Sequence, residues 1–375
     1  MIKLKFLAIV IATLVAVSCS QAQQQPNTLK DALAGKFYIG TAMSLDQITG
    51  KDTDAIKIIK QQFNSIVAEN CMKSMFLQPK EGEFFFDDAD QFVKFGEENN
   101  MNIIGHCLIW HSQAPRWFFV DDEGKDVSRE VLIERMKNHI TTVVGHYKGR
   151  IHGWDVVNEA IMEDGSLRKS KFREIIGDDF IKLAFQFAHE ADPDVELYYN
   201  DYNEWHVGKR DAIVAMVKDF QANGIRIDAI GMQGHIGMDY PTFEEYQAAI
   251  DAYTSTGLKV MVTELDMSAL PRPGQNTGAN IADIETYRAE INPFTEGLSE
   301  EVSVEWTNRM AEFFQLFINN SDKIQRVTMW GVSDATSWKN DFPVRGRTDY
   351  PLLFDRNHQP KPIVQRIIDM ANNNN

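Results

Sequence analysis

Eight short apolar runs rich in β-branched residues, spaced along the chain and separated by stretches of helical periodicity, constrain this sequence more than any other feature. The runs are Phe37 to Ile39, Ser65 to Ala68, Ile103 to Leu108, Gly153 to Val157, Glu196 to Asn200, Ala229 to Gln233, Lys259 to Thr263 and Arg326 to Trp330. Between and after them, helical spacing covers Asp54 to Phe63, Asp88 to Glu98, Val131 to His146, Asp179 to Ala191, Asp211 to Ala222, Phe243 to Thr256, Val304 to Ile318 and Pro362 to Met370. Such alternation demands a parallel sheet covered by helices, and eight units suit closure into a single (β/α)8 TIM barrel, an α/β fold. Asp87, Ser128 and the Pro241-Thr242 pair read as helix entries. The segment from Pro271 to Ser299 lacks a period; because it follows Glu264, it is expected to line a cleft rather than join two domains.

The flanks and the charge narrow the setting. Residues 1–19 read as a signal peptide, with Lys3 and Lys5 before an apolar stretch and small residues at its end. Cys19 fits the acceptor of a lipoprotein signal, with simple cleavage near Ala22 as the alternative; residues 20–28 form a tether and 29–371 the catalytic domain. Export follows, to the cell surface or periplasm as an outer-membrane lipoprotein, or as a secreted protein. No later run is apolar enough to span a bilayer, so membrane contact is expected only through that anchor. A net charge of −16 repels phosphate and argues against a nucleic-acid partner. Cys71 and Cys107 read as small buried filler, with one bridge left open.

The chemistry concentrates at the strand ends. Glu159 closes the run Trp154 to Val157 and Glu264 closes Val260 to Thr263, so both carboxylates emerge where a barrel meets its loop layer. Two carboxylates flanking one bond are what glycoside hydrolysis requires. Further polar or aromatic groups close the other runs: Glu69, Asn70, His106, Trp110, Asn158, Asn200, Asp201, Gln233, His235, Asp266 and Trp330. Singly each has a bland reading as cap, core histidine or packing; jointly they converge on one rim. Trp110, Trp330 and Trp338 can stack on sugar rings, while Asn70, Lys73, Gln113 and Gln233 can bind hydroxyls. No Gly-rich phosphate cradle, metal-ligand spacing or nucleophile elbow appears, so neither a cofactor nor a metal is expected.

In order along the chain stand Glu69-Asn70-Cys71-Met72-Lys73, Gly105 to Gln113, Trp154 to Ala160, Tyr199 to Asn203, Gly231 to His235, Thr263 to Asp266 and Trp330 to Asp334. With these motifs the chain, from about Leu29 to Met370, resembles glycoside hydrolase family 10, whose usual activity is endo-1,4-β-xylanase on a (β/α)8 barrel. The resemblance implies Glu159 as general acid/base and Glu264 as nucleophile of a retaining double displacement. It implies that Asn158 and Glu264 face the sugar 2-hydroxyl, and that His235, held by Asp266, positions Glu264. It implies Lys73, His106, Trp110, Gln113, Trp330 and Trp338 on the non-reducing side, with Glu69 and Asn70 further out and Tyr202 toward the leaving group. Ionised Glu264 is expected to raise the pKa of Glu159 and keep its proton in place.

The substrate implied is xylan or xylo-oligosaccharide, acted on by a monomer. A retaining β-1,4-glucanase on the same barrel is the enzyme alternative. A non-catalytic glycan-capture lipoprotein is the alternative from another class, disfavoured because a binding protein has no use for a buried acid pair that costs desolvation.

Overall fold

The computed structural model describes residues 27–272 and 288–373. Nine parallel strands appear: β1 (Tyr38–Met43), β2 (Ser65–Ala68), β3 (Asn102–Trp110), β4 (Gly153–Asn158), β5 (Glu196–Asp201), β6 (Ala229–Met232), β7 (His235–Gly237), β8 (Lys259–Ser268) and β9 (Ile324–Met329). β1 pairs with β2 and β9, and β6 pairs with β5 and β8, which closes an eight-stranded barrel; β7 pairs only with the far end of β8. β6 and β7 therefore act as one barrel strand with a break at Gln233-Gly234, where Gly234 takes a φ of +77° that side-chain-bearing residues seldom adopt.

Two apolar layers hold the strands. Inside the barrel lie Ala42, Val67, Ile104, Tyr198, Ala229 and Met261, capped by Trp330. Outside, Ile39, Ile66, Ile103, Leu197, Ile230 and Val327 pack against helix residues such as Ile59, Phe92, Ile140, Ile250 and Phe314, all essentially excluded from water. Each such side chain contributes about 1.5–3 kcal/mol on burial. This is the alternation of inward and outward residues that a parallel sheet covered by helices requires.

The helices follow the expected spans closely, including Thr53–Gln62, Arg129–His146, Phe180–Ala191 and Glu300–Asn319. Ser128 accepts from Val131 N–H, and Thr242 forms a capping box with Glu245. Asp87 is a correction: it is the first residue of the helix Asp87–Glu98, Phe86 occupies the cap position, and no side chain caps that end. Asp87, Asp88 and Asp90 instead place negative charge in the first turn, where the helix dipole favours it.

Three register irregularities matter for function. β3 gains a residue against β4 between His106 and Ile109, β4 gains one against β5 between Asp155 and Val157, and β8 gains one against β9 between Val262 and Leu265. A strand of strict period two cannot send Met261 and Glu264, three apart, to the same face. The irregularity at Thr263-Glu264 does so, as bulges beside active sites commonly do.

Candidate active site

The upper rim of the barrel encloses a cleft of about 140 Å³ whose walls include both glutamates. Glu69 and Asn70 enter it from the end of β2, and Lys73 from the residue before the short helix Ser74–Leu77. His106 and Trp110 come from β3, Gln113 from the turn beyond it, and Asn158 and Glu159 from the end of β4. Gln233 and His235 come from the break between β6 and β7, Glu264 from β8, and Trp330 and Trp338 from the chain after β9. Of the anticipated rim residues, Asp266 lies one layer behind, fully buried. Tyr202 is also buried and is not part of this wall.

A chain of amides joins the two carboxylates. Asn200 Nδ2 donates to Glu264 Oε1 at 2.8 Å and to Asn158 Oδ1 at 2.9 Å. Asn158 Nδ2 and Gln233 Nε2 donate to Glu159 Oε1 at 3.2 and 3.1 Å, and Trp110 Nε1 donates to Glu159 Oε2 at 2.8 Å. Thr263 Oγ1 donates to Asn200 Oδ1 at 2.6 Å, so Asn200 is fixed from both of its ends. With oxygen and nitrogen thus assigned, each amide can serve only one orientation.

The proton affinities of the two glutamates are moved in opposite directions. Burial pushes Glu159 above the usual carboxylate range; the charge of Asp201 adds to the lift and that of Glu264 adds less, against the donors Gln233 and Trp110. The expected lift from Glu264 is present, but it is the smaller part, because removing the carboxylate from water outweighs its neighbour's charge. Burial acts in the same sense on Glu264, but the His235 contact, the positive fields of His106 and His235 and the Asn200 hydrogen bond overcome it and bring Glu264 below the usual range.

His235 stands between two acids: Nε2 is 3.3 Å from Glu264 Oε2 and Nδ1 is 3.0 Å from Asp266 Oδ2. Burial alone would deprotonate it, yet those carboxylates, Asp266 foremost, raise it to about 9. Asp266 is itself fastened by Trp338 Nε1, which donates to its Oδ2 at 2.7 Å. On the opposite wall His106 Nδ1 lies 2.9 Å from Asp155 Oδ2, an acid that the sequence motifs did not mark.

The sugar-binding candidates divide. Lys73 donates to Asn70 Oδ1 at 3.0 Å and Gln113 Oε1 at 2.9 Å and lies 4.8 Å over the Trp110 ring. Trp110, expected as a stacking plate, lines the cleft, is only 6% exposed and donates its N–H to Glu159. Trp338, half-buried and stacked on Phe342, keeps more of its surface open. Tyr202, expected toward the leaving group, accepts a 2.7 Å hydrogen bond from Arg168.

Cys71 and Cys107 are both free and buried, which decides the open question of a bridge. Among the described residues no cluster of three or more His, Cys, Asp or Glu could hold a metal, and no helix is long and apolar enough to cross a membrane. Cys19 and the rest of the leader lie outside the described residues, as does much of the segment after Pro271. Where that segment returns, it packs on the chain after Trp338: Asn292 Oδ1 accepts from Thr348 N–H at 2.9 Å.

The glycosyl hydrolase family 10 model matches residues 28–370. Endo-1,4-beta-xylanase A of Xylanibacter ruminicola is 51% identical over 349 residues, covering 93% of this chain and 94% of the relative. Endo-1,4-beta-xylanase of Geobacillus stearothermophilus is 41% identical over 347 residues, covering 92% and 98%. Among solved structures, a GH10 endoxylanase from a sugarcane soil metagenome superposes with a TM-score of 0.88 at 42% identity, covering 91% of this chain and 99% of that one. A mutant structure in complex with xylotriose superposes with a TM-score of 0.81 at 34% identity, covering 91% and 99%.

Proposed function

The chain belongs to glycosyl hydrolase family 10, and on that premise we propose that Glu159 and Glu264 cut the xylan backbone by a retaining double displacement. It is a glycoside hydrolase with endo-1,4-β-xylanase activity, and its substrate is xylan or xylo-oligosaccharide. The observation that carries the assignment of residues is two carboxyl groups facing one cleft and joined by the Asn200–Asn158 amide chain, with the proton affinity of Glu159 raised and that of Glu264 lowered.

In the first step the ionised Glu264 attacks the anomeric carbon while Glu159 passes its proton to the leaving oxygen, and the glycosidic C–O bond breaks. Glu264 is then an ester and Glu159 a carboxylate. In the second step Glu159 takes a proton from water, which attacks the same carbon and frees Glu264. Asn158, which donates to Glu159 and is joined to Glu264 through Asn200, meets the 2-hydroxyl, where hydrogen bonds strengthen in the transition state. Lys73, Asn70, Gln113 and Glu69 supply the polar wall on one side, His106 and Trp330 the floor, and Trp338 an open ring for stacking.

The xylanase names of the compared relatives speak against a β-1,4-glucanase. The retained acid pair, buried at a desolvation cost for which a binding protein has no use, speaks against a non-catalytic capture protein. We further infer export, with residues 1–19 as leader, Cys19 as lipid acceptor, residues 20–28 as tether and 29–371 as a catalytic domain acting as a monomer; this reading is supported by Lys3, Lys5 and the apolar run behind them.

The test is release of reducing sugar from xylan by the intact protein and by Glu264→Ala, with products followed by proton NMR at early times. Loss of activity in the variant and first-formed β-anomer from the parent are expected. Full activity in Glu264→Ala, or α-anomer as first product, overturns the assignment.

A further inference from the structure

Glu159 is fixed by its main chain as firmly as by its carboxylate. Its φ of +58° lies in the left-handed region, which costs a side-chain-bearing residue energy and persists only where the surroundings hold it. Its N–H donates to the Asn200 carbonyl at 2.9 Å. Its carbonyl oxygen accepts from Arg168 Nε at 2.7 Å, and a second arm of the same guanidinium donates to the Tyr202 hydroxyl at 2.7 Å.

The loop is folded to make this contact. Ile161 bridges Leu167 in antiparallel fashion, and Arg168 N–H donates to the Ala160 carbonyl at 2.8 Å, so the chain turns back and returns Arg168 to the peptide it left nine residues earlier. Arg168 is 8% exposed, an unusual place for a guanidinium unless its donors are used. None of its donors reaches the Glu159 carboxylate among the contacts found. It grips the backbone instead.

We propose that Arg168 is a positioning residue for Glu159: by tying the Glu159 carbonyl to the Tyr202 hydroxyl it holds the left-handed backbone that aims the carboxyl at the leaving oxygen. The proposal rests on the reading of Glu159 as acid/base. A positioning residue of this kind affects the steps in which Glu159 gives or takes a proton, since proton transfer demands hydrogen-bond reach and alignment, and kcat/KM reads the first of them, the departure of the leaving group. A leaving group acidic enough to depart unaided does not need that alignment. A merely structural role would slow both kinds of substrate together.

The experiment compares kcat/KM for xylotetraose and for the 2,4-dinitrophenyl β-glycoside of xylobiose, in the full chain and in Arg168→Met, Arg168→Lys and Tyr202→Phe. Arg168→Met is expected to lose about 10- to 100-fold on xylotetraose and to stay within about threefold on the aryl glycoside. Arg168→Lys, with a single donor nitrogen where two arms are needed to span both acceptors, recovers part of the loss on xylotetraose. Tyr202→Phe frees one arm without emptying space and shows a smaller loss of the same selectivity, which keeps the test alive if Arg168→Met does not fold. Equal losses on both substrates, or no loss, overturn the proposal. Glu159→Gln is run alongside: if it too treats both substrates alike, the acid/base assignment itself has failed; if it is selective and the Arg168 variants are not, only the clamp has.

Discussion

Asn200 Nδ2 lies 2.8 Å from Glu264 Oε1, and the same nitrogen reaches Asn158, the neighbour of the opposing acid. A single amide on β5 thus touches the attacking group directly and the proton donor through one intermediary. The position of the nucleophile and that of the acid are set from one point.

Replacing Asn200 by Ala should lower kcat/KM on xylo-oligosaccharide by about 10- to 100-fold, since a hydrogen bond to a charged group is worth about 1.5–3 kcal/mol. Steady-state rates on a short substrate at fixed pH check this. A loss confined to KM would mean that Asn200 binds sugar and does not hold Glu264.

The acid limb of the pH profile should move when His235 loses its charge. Burial raises Glu264 while the His235 contact and field lower it, so Glu264 needs that cation to ionise early. His235→Ala removes it. Asp266→Asn removes the carboxylate that chiefly keeps His235 protonated, and burial then favours the neutral ring. In both variants Glu264 titrates higher, and the rise of kcat/KM with pH should shift toward alkaline values. An unmoved limb in both would show that the His235–Asp266 pair does not govern the nucleophile.

Glu204 should make the fold sensitive to alkali. It is wholly buried, neither carboxyl oxygen has a side-chain hydrogen-bond partner, and burial pushes it up to about 8 against its own backbone N–H and the opposing field of Lys209. Its folded value lies above the unfolded one, so its contribution is fully present below about 4.5 and is lost as pH rises through about 8. The loss amounts to ~5 kcal/mol at the upper bound. Glu204→Gln cannot ionise, and the fall in melting temperature between pH 5 and pH 9 should shrink in that variant. An unchanged difference would remove Glu204 from the cause.

Two glycines should respond to alanine with opposite signs. A Cβ on Gly105 would stand 2.1 Å from the ring of Trp154, which is itself 1% exposed and has nowhere to move. Overpacking of that kind costs about 1–3 kcal/mol or more. Gly145, inside the helix Arg129–His146, has nothing within 4 Å of its would-be Cβ, so Gly145→Ala should gain about 0.5–1 kcal/mol through helix propensity. Urea midpoints of the two variants decide both.

What the sequence revealed was periodicity and strand-end chemistry. The eight runs fall on the barrel strands, and Glu159, Glu264 and Gln233 lie where their runs end, because inward and outward alternation leaves a clear hydrophobic signature. The continuation of β8 to Ser268 was harder to read: Glu264 and Asp266 interrupt the apolar pattern, and only the bulge explains why they remain in a strand. His235 hid the short β7 in the same way. Arg168 carried no signal, since its partner is a peptide carbonyl, and main-chain acceptors leave no trace in composition. Glu204 likewise carried no signal in a chain rich in acids. The part that burial plays in the raised Glu159 proton affinity was not legible for a related reason: residue spacing shows which charges come close, but not how much water is excluded.

The indole of Trp338 does two jobs, offering a half-buried face to the cleft while its nitrogen fastens Asp266 behind His235. Asp266 in turn raises the proton affinity of His235, which touches Glu264, so this one ring ties a wall of the cleft to the electrostatics of its buried acid, and trimming it would disturb both in a single stroke.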